Sequence, residues 1–210
     1  MSWRWLAACL LVACTTSDEP PAAAKAAAPK KNPSAWKEIE TPVPVGKKLA
    51  CSALVAVDKI GEAVGKKLDL VDESSKDPDA TSVCRLMLSK QHPQAGKPSA
   101  VKGLAAGEEL ATITAYCWNA FTVPDVKKKC SDNGEETSTE IGMLACVRKV
   151  PAGDNTRFIV TVLEPDTRCK LVVNPGPANY DLALSKATAT ALVDTIDKES
   201  LKAGAPSSGK

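Results

Sequence analysis

The chain is poor in histidine and in aromatic residues. It has a single histidine, His92, among 210 residues, and aromatic residues make up 4% of the sequence. One histidine cannot supply the paired ligands that most histidine-based metal sites need. His92 precedes Pro93 in a segment rich in Gln, Pro and Gly, so we interpret it as a solvated loop residue. The few aromatic side chains also leave almost no platforms on which a sugar could stack.

Several motifs that carry catalysis are also missing. The chain has no P-loop, no H-E-x-x-H motif and no G-x-S-x-G motif. The cysteines between positions 51 and 169 include no C-x₂-C or C-x₄-C pair of the kind that holds structural zinc. We therefore predict that the protein is not an enzyme and that it carries no metal and no cofactor.

Basic residues are not gathered into one large segment. The formal net charge is +2, and the lysines and arginines are spread along the chain. A nucleic-acid-binding protein presents a concentrated basic face, so we predict no nucleic-acid partner. The short run Lys127-Lys128-Lys129 is interpreted as a solvated charged loop.

Two acidic segments carry oxygen atoms that calcium could use. Neither has the D-x-D-x-D-G spacing of a calcium-binding loop, so we interpret both as solvated loops. Their acidic residues are Asp72, Glu73, Asp77 and Asp79 in the first segment and Asp132, Glu135 and Glu136 in the second.

The chain lacks an apolar run long enough to cross a membrane, but a short one lies near its beginning. Residues 5–13 are apolar, Arg4 precedes them, and the polar segment 15–19 ends the run. A membrane-spanning helix needs roughly 20 apolar residues. Positive charge, an apolar run and then small residues are the order found in a cleaved export signal. We therefore predict a signal peptide at 1–13.

The end of this run, Leu11-Val12-Ala13-Cys14, resembles the lipobox of bacterial lipoproteins: Leu, a small or branched residue, Gly, Ala or Ser, and then Cys. The resemblance implies that the Cys14 thiol receives a diacylglycerol and that the chain is cut before Cys14. It also implies that the new amino group is acylated, for example with palmitate, so that the membrane is a partner through lipidated Cys14. Leu6-Ala7-Ala8-Cys9 fits the same pattern, but its apolar region is shorter than the roughly 7 to 15 residues expected. An ordinary secretory cut is the remaining alternative.

The residue that follows the predicted lipidated cysteine indicates in which membrane a bacterial lipoprotein is placed. Thr15 stands there, not the Asp that is associated with inner-membrane retention in Gram-negative bacteria. The resemblance therefore implies a place in the bacterial cell envelope. In a Gram-negative host it implies an outer-membrane lipoprotein, facing either the periplasm or the cell surface.

The composition changes twice along the rest of the chain. Residues 14–45 are rich in Pro and Ala, which predicts a semi-rigid spacer behind the lipidated cysteine. Their positive and negative charges cancel, so this tether is not a polybasic lipid-binding arm. We predict a globular domain over 46–202, long enough to bury a core, and a disordered tail over 203–210.

An even set of cysteines follows the tether. In an exported chain such a set predicts disulfides, here three. Six cysteines allow 15 pairings, and the sequence does not choose among them; the pairing we favour is 51–84, 117–130 and 146–169. The candidates are Cys51, Cys84, Cys117, Cys130, Cys146 and Cys169.

The hydrophobic pattern predicts helices at the two ends of the domain and strands between them. Apolar residues at alternating spacings of three and four predict helices over 47–67 and 179–201. Period-two patterns and turn residues predict strands over 82–88, 110–118, 142–150, 157–164 and 168–174. A block of about five strands flanked by helices favours the α+β class, with an antiparallel sheet stapled by disulfides.

The densest aromatic segment is Tyr116 to Phe121. Part of it should pack inward, and the exposed members of Tyr116, Trp118 and Phe121 could form a contact surface. Lipobox, tether, cysteine-led helix and disulfide-linked strands together resemble, loosely, several envelope lipoprotein families of unknown function. We therefore expect a lipid-anchored, non-enzymatic protein that contacts another envelope protein or supports the envelope. The alternative is a binding module for a small or lipidic ligand.

Overall fold

A seven-stranded antiparallel sheet is the centre of the part of the chain that the structure describes. The computed structural model describes residues 43–90, 104–196 and 201, which belong to one compact unit, Lys37–Lys210. The strand order is β1-β2-β3-β7-β6-β5-β4. The strands are β1 Leu68–Asp72, β2 Ser82–Leu88, β3 Glu109–Tyr116, β4 Glu136–Ser138, β5 Leu144–Ala152, β6 Asn155–Leu163 and β7 Lys170–Pro175.

Four α-helices accompany these strands in the described residues. None of the described helices is long and apolar enough to cross a membrane. The helices are α1 Cys51–Leu54, α2 Val57–Val64, α3 Val123–Asp132 and α4 Leu182–Thr195, and a single 3₁₀ turn spans Ser74–Lys76.

The main core lies between one face of the sheet and helices α1, α2 and α4. Alternate residues of each central strand point into it, as in Ile113 of β3, Val160 of β6 and Val173 of β7, all fully buried. Leu192 of α4 and Ile60 of α2 fill the space opposite them. Val43, which precedes the predicted start of the domain, already belongs to this core.

A second, smaller cluster lies on the opposite face of the sheet. Val126 and Cys130 of α3 pack there against Leu144, Cys146 and Leu163. This face is thus covered by α3 only near β4 and β5, and the rest of it carries half-buried residues such as Thr112 and Val172. The partial cover leaves room for a groove beside α3.

The predicted α+β class and the antiparallel sheet are confirmed, but the expected number of strands was too low. The two strands that were not expected are β1 and β4, which form the edges of the sheet. β4 is only three polar residues long, and pairing with β5 is what makes it a strand. Its sequence has no apolar alternation that could predict it.

The helix expected over 47–67 is broken and ends earlier. Val55 lies between α1 and α2 in an extended conformation and is buried in the core, so the chain turns there to bury it. Gly65 then ends α2 in the left-handed conformation, with φ 68°, which glycine adopts without a steric penalty. Residues after Gly65 enter β1.

The interpretation of Lys127-Lys128-Lys129 as a loop was wrong, because these lysines lie in α3. Thr122 is the N-cap and its hydroxyl accepts a hydrogen bond from the amide of Asp125, at 3.3 Å. Pro124 lies in the first turn, where its missing N–H costs nothing. The lysine side chains are exposed, as expected.

The six cysteines after the tether form three disulfides, as the sequence predicted. The expected bond Cys51–Cys84 is present. The other two expected pairings were wrong: the bonds are Cys117–Cys169 and Cys130–Cys146. Strand register explains the first of these, because Tyr116 pairs with Lys170 and thus places the adjacent cysteines opposite each other.

The carboxylate of Asp72 connects the end of β1 to α1 and to the 3₁₀ turn. It accepts hydrogen bonds from the amide of Cys51 at 2.8 Å, and from the amide and hydroxyl of Ser74 at 3.0 and 2.6 Å. Burial alone would raise the pKa of Asp72, but these hydrogen bonds outweigh it and leave the pKa below its ordinary value. The folded state therefore gains stability when Asp72 is ionised.

We expect Asp72→Ala to lower the free energy of unfolding by about 1 kcal/mol at neutral pH. The estimate is modest because solvent screens a partly exposed carboxylate. A depressed pKa stabilises the fold above the ordinary carboxyl pKa, and that gain is lost as pH falls through the folded-state value. The difference between the two proteins in urea unfolding should thus shrink in acid. Asp69→Ala, an exposed change on the same strand, is the control and should have little effect.

Candidate functional site

A groove of about 280 Å³ lies between α3 and the partly uncovered face of the sheet. Its apolar lining comes from the sheet, the loop before α3 and α3 itself: Tyr116, Ile159, Val172, Phe121 and Val126. The disulfide Cys130–Cys146 joins α3 to β5, and it thus fixes the helix that forms one wall of the groove to the sheet that forms the other.

Lys170 is one of the charged residues that line the groove. It pairs across the sheet with Tyr116, so both side chains rise from the same face. The Lys170 ammonium lies 4.2 Å from the centroid of the Tyr116 ring and 4.9 Å from that of Phe121. Two aromatic faces therefore contact one cation, which is a stabilising cation–π arrangement.

The surroundings of Lys170 disfavour its charge. Burial lowers the pKa of the Lys170 ammonium below its ordinary value, and the like charge of Lys129 lowers it further. Among the described residues, Lys170 forms no ion pair with a carboxylate. Among residues 43–90, 104–196 and 201, the neighbours that stabilise this partly desolvated cation are the aromatic rings of Tyr116 and Phe121.

The acidic residues of the groove already have partners. Glu135 lies 4.0 Å from the guanidinium of Arg148, measured from Oε1 to Nε, and its side chain is only 7% exposed. Asp125 accepts a hydrogen bond from the hydroxyl of Thr122 at the start of α3. Neither carboxylate forms an ion pair with Lys170.

Tyr116 keeps its proton over a wide pH range. Burial raises the pKa of its hydroxyl, and the carboxylates of Asp77 and Asp79 raise it further. A neutral phenol is both a hydrogen-bond donor and an acceptor. The groove thus offers an ammonium, a phenol and an apolar wall within a small volume.

The structure brings together two of the three residues expected at a contact surface. Tyr116 and Phe121 line the groove, whereas Trp118 does not. The indole N–H of Trp118 donates to the carbonyl oxygen of Lys47 at 2.6 Å, and its ring packs against the main core. Trp118 thus holds the segment before α1 against the end of β3. Cys14, the predicted lipidation site, lies outside the described residues.

The sequence interpretation missed Lys170 and Val172 as site residues. Both lie on β7, where they alternate with the buried Leu171 and Val173. Residues that alternate with buried residues along a strand lie on the opposite face of the sheet. The sequence therefore contained a signal that Lys170 and Val172 share that face. Their partners on α3 were missed because the helix itself was not predicted.

Acidic residues of the two segments considered for calcium make contacts within the protein, and the interpretation as loops was wrong for Asp72, which lies in β1, and for Glu136, which lies in β4. The Asp72 carboxylate accepts hydrogen bonds from Cys51 and Ser74. Glu73 pairs with both Lys76 and Arg85, and Glu136 pairs with Lys149. His92 lies outside the described residues.

One group has the spacing of a metal site but not its chemistry. Ligand atoms of Cys130, Glu135 and Cys146 lie within 4.8 Å of one another. The two sulfur atoms are bonded to each other, so neither is available as the thiolate that a metal would need. We assign this group to the disulfide.

Comparison with protein-family models, with curated proteins and with solved structures found no match to this chain.

Proposed function

We propose that this chain is a lipid-anchored, non-enzymatic protein of the bacterial cell envelope. Its α+β domain would bind another envelope protein through the groove beside α3, or give structural support there. The observation that carries the contact role is the pairing of Tyr116 and Phe121 with the Lys170 ammonium in that groove. The lipobox-like segment ending at Cys14 is the basis for the anchor.

The composition of the groove supports a contact role. Tyrosine is enriched at protein interfaces because it combines a large apolar area with a polar tip. At about 280 Å³, the groove lies just below the roughly 300 to 1,000 Å³ of pockets that enclose drug-sized ligands. Its volume suits one or two side chains of a partner.

The alternative function, a binding module for a small or lipidic ligand, would use the same groove. The observation in its favour is the concave apolar lining, which includes Val126, Ile159 and Val172. A binding module should carry its ligand through purification. Mass spectrometry of the native protein under non-denaturing conditions therefore separates the two functions: a retained small molecule favours the alternative.

A photoreactive amino acid placed at position 121, in place of Phe121, would test the contact role in living cells. We expect a discrete crosslinked product that contains a second envelope protein, identified by mass spectrometry. The matched control carries the same group at Tyr180, which is 39% exposed and lies outside the groove. The identified partner should then bind the purified protein and lose affinity for the Phe121→Ala variant. Equal crosslinking from both positions would count against the groove as the contact surface.

A further inference from the structure

We propose that the groove recognises a carboxylate of an acidic, apolar peptide segment in the partner protein. The carboxylate would engage Lys170 and Lys129, and a neighbouring apolar side chain would pack on Val126, Ile159 and Val172. This inference rests on the proposed contact function and adds the chemistry of the partner.

No carboxylate of the described residues forms an ion pair with the Lys170 ammonium. A partly buried ammonium pays a desolvation cost that cation–π contacts offset only in part. Burial and Lys129 both act against its charged form. A bound carboxylate would restore a charge-assisted hydrogen bond and would also reduce the repulsion between the two lysines.

Positive and negative charges in the groove lining do not balance. The lining holds three cations, Lys129, Arg148 and Lys170, and two carboxylates, Asp125 and Glu135. Glu135 faces Arg148, and Asp125 is bonded to Thr122 at the helix N-terminus. The hydroxyl of Thr122 does not cancel the charge of Asp125, so the lining keeps an excess of one positive charge. This excess favours an anionic occupant over a cationic or neutral one.

The size and lining of the groove suit a short segment of a peptide. At about 280 Å³ the groove is smaller than the roughly 300 to 1,000 Å³ of pockets that enclose a drug-sized ligand. That space accommodates one acidic residue with one apolar neighbour. A segment that continues beyond the groove also gains contacts along α3 that a single small acid cannot make.

The test measures binding of a fluorescein-labelled peptide, Gly-Leu-Glu-Leu-Glu-Gly, to the full chain in detergent by fluorescence anisotropy. We expect saturable binding that weakens at least about tenfold in Lys170→Met, since hydrogen bonds to charged groups contribute that much or more. Lys170→Arg keeps the charge and should retain binding. Lys127→Met, on the same helix but outside the groove lining, should change affinity less than about twofold.

Several results would overturn the proposal. The same peptide with Gln in place of Glu must bind at least about tenfold more weakly; equal binding would show that the groove does not recognise the carboxylate. If phenylacetate binds as tightly as the peptide, the site is one for small acids. If the crosslinked partner is confirmed but no acidic peptide binds, the contact function survives and this inference fails. A melting curve of Lys170→Met establishes that the variant is folded.

Discussion

Replacing Cys14 with Ala is expected to release the protein from membranes. The proposed attachment is through acyl chains at Cys14, the last residue of the lipobox-like segment. Each buried CH₂ contributes about 0.8 kcal/mol, and more than one chain is needed for stable anchoring. Without the cysteine there is no thiol for the diacylglycerol, and all of that binding energy is lost. Fractionation should move the protein from the membrane pellet to the soluble fraction.

Cys9→Ala is the matched control, because Cys9 ends the competing pattern in the same apolar run. It should leave the protein in the membrane fraction. Intact mass of the native, non-reduced protein gives a second readout: a chain that begins at Cys14, with acyl mass added. If Cys9→Ala released the protein and Cys14→Ala did not, the chain would be cut before Cys9 and lipidated there. A mass without acyl groups would contradict the anchor altogether.

Local patterns predicted the strands that lie inside the sheet. In β3, Ile113 and Ala115 alternate with Thr114 and Tyr116, and the structure buries the first pair and leaves the second half-buried. Such strands carry their own signal because one face is fully buried and the other is not. The edge strand β4 has no buried face of its own, so its strand state depends on its partner and could not be predicted locally.

The first turn of α3 shows a different kind of failure. Thr122, Pro124 and Asp125 form a recognisable helix start, and Val126 and Cys130 lie four residues apart on one face. The signal was present, but the run of lysines obscured it. Missing α3 also led to the wrong disulfide pairing of Cys130, because the bond between Cys130 and Cys146 joins α3 to β5.

Only part of the candidate site could be predicted from the sequence. Tyr116 and Phe121 are close in the chain, and their aromatic character marked them. Lys170 is far from both along the sequence and reaches them only through the pairing of β3 with β7. Strand order is a property of the whole sheet, so no local pattern could place that lysine on those rings.

Reduction of the three disulfides is expected to destabilise the domain severely. The bonded cysteines are 33, 52 and 16 residues apart. The chain-entropy model assigns each such closed loop about 3 to 4 kcal/mol of stabilisation. Since the total stability of a domain is about 5 to 15 kcal/mol, losing all three removes most of it. Urea unfolding with and without a thiol reductant measures the effect, and an unchanged midpoint would reject a structural role for the bonds.

The individual disulfides should differ in how much stability each contributes and in which part of the domain each one stabilises. Cys117–Cys169 closes the longest loop, joins two central strands and is fully buried, so we expect the double Ala variant at these positions to lose the most stability. Cys130–Cys146 closes the shortest loop and joins α3 to β5. Because α3 is otherwise buried mainly through Val126, removing this bond should loosen α3 while the main core stays folded.

Amide hydrogen exchange can separate these two outcomes. For Cys130→Ala with Cys146→Ala, we expect faster exchange in α3 and unchanged exchange in β3 and β7. The groove would lose its α3 wall, so peptide binding should fall together with the protection of α3. If protection decreased equally in all strands, α3 would belong to the main cooperative unit, and its disulfide would stabilise the whole domain as well as the groove.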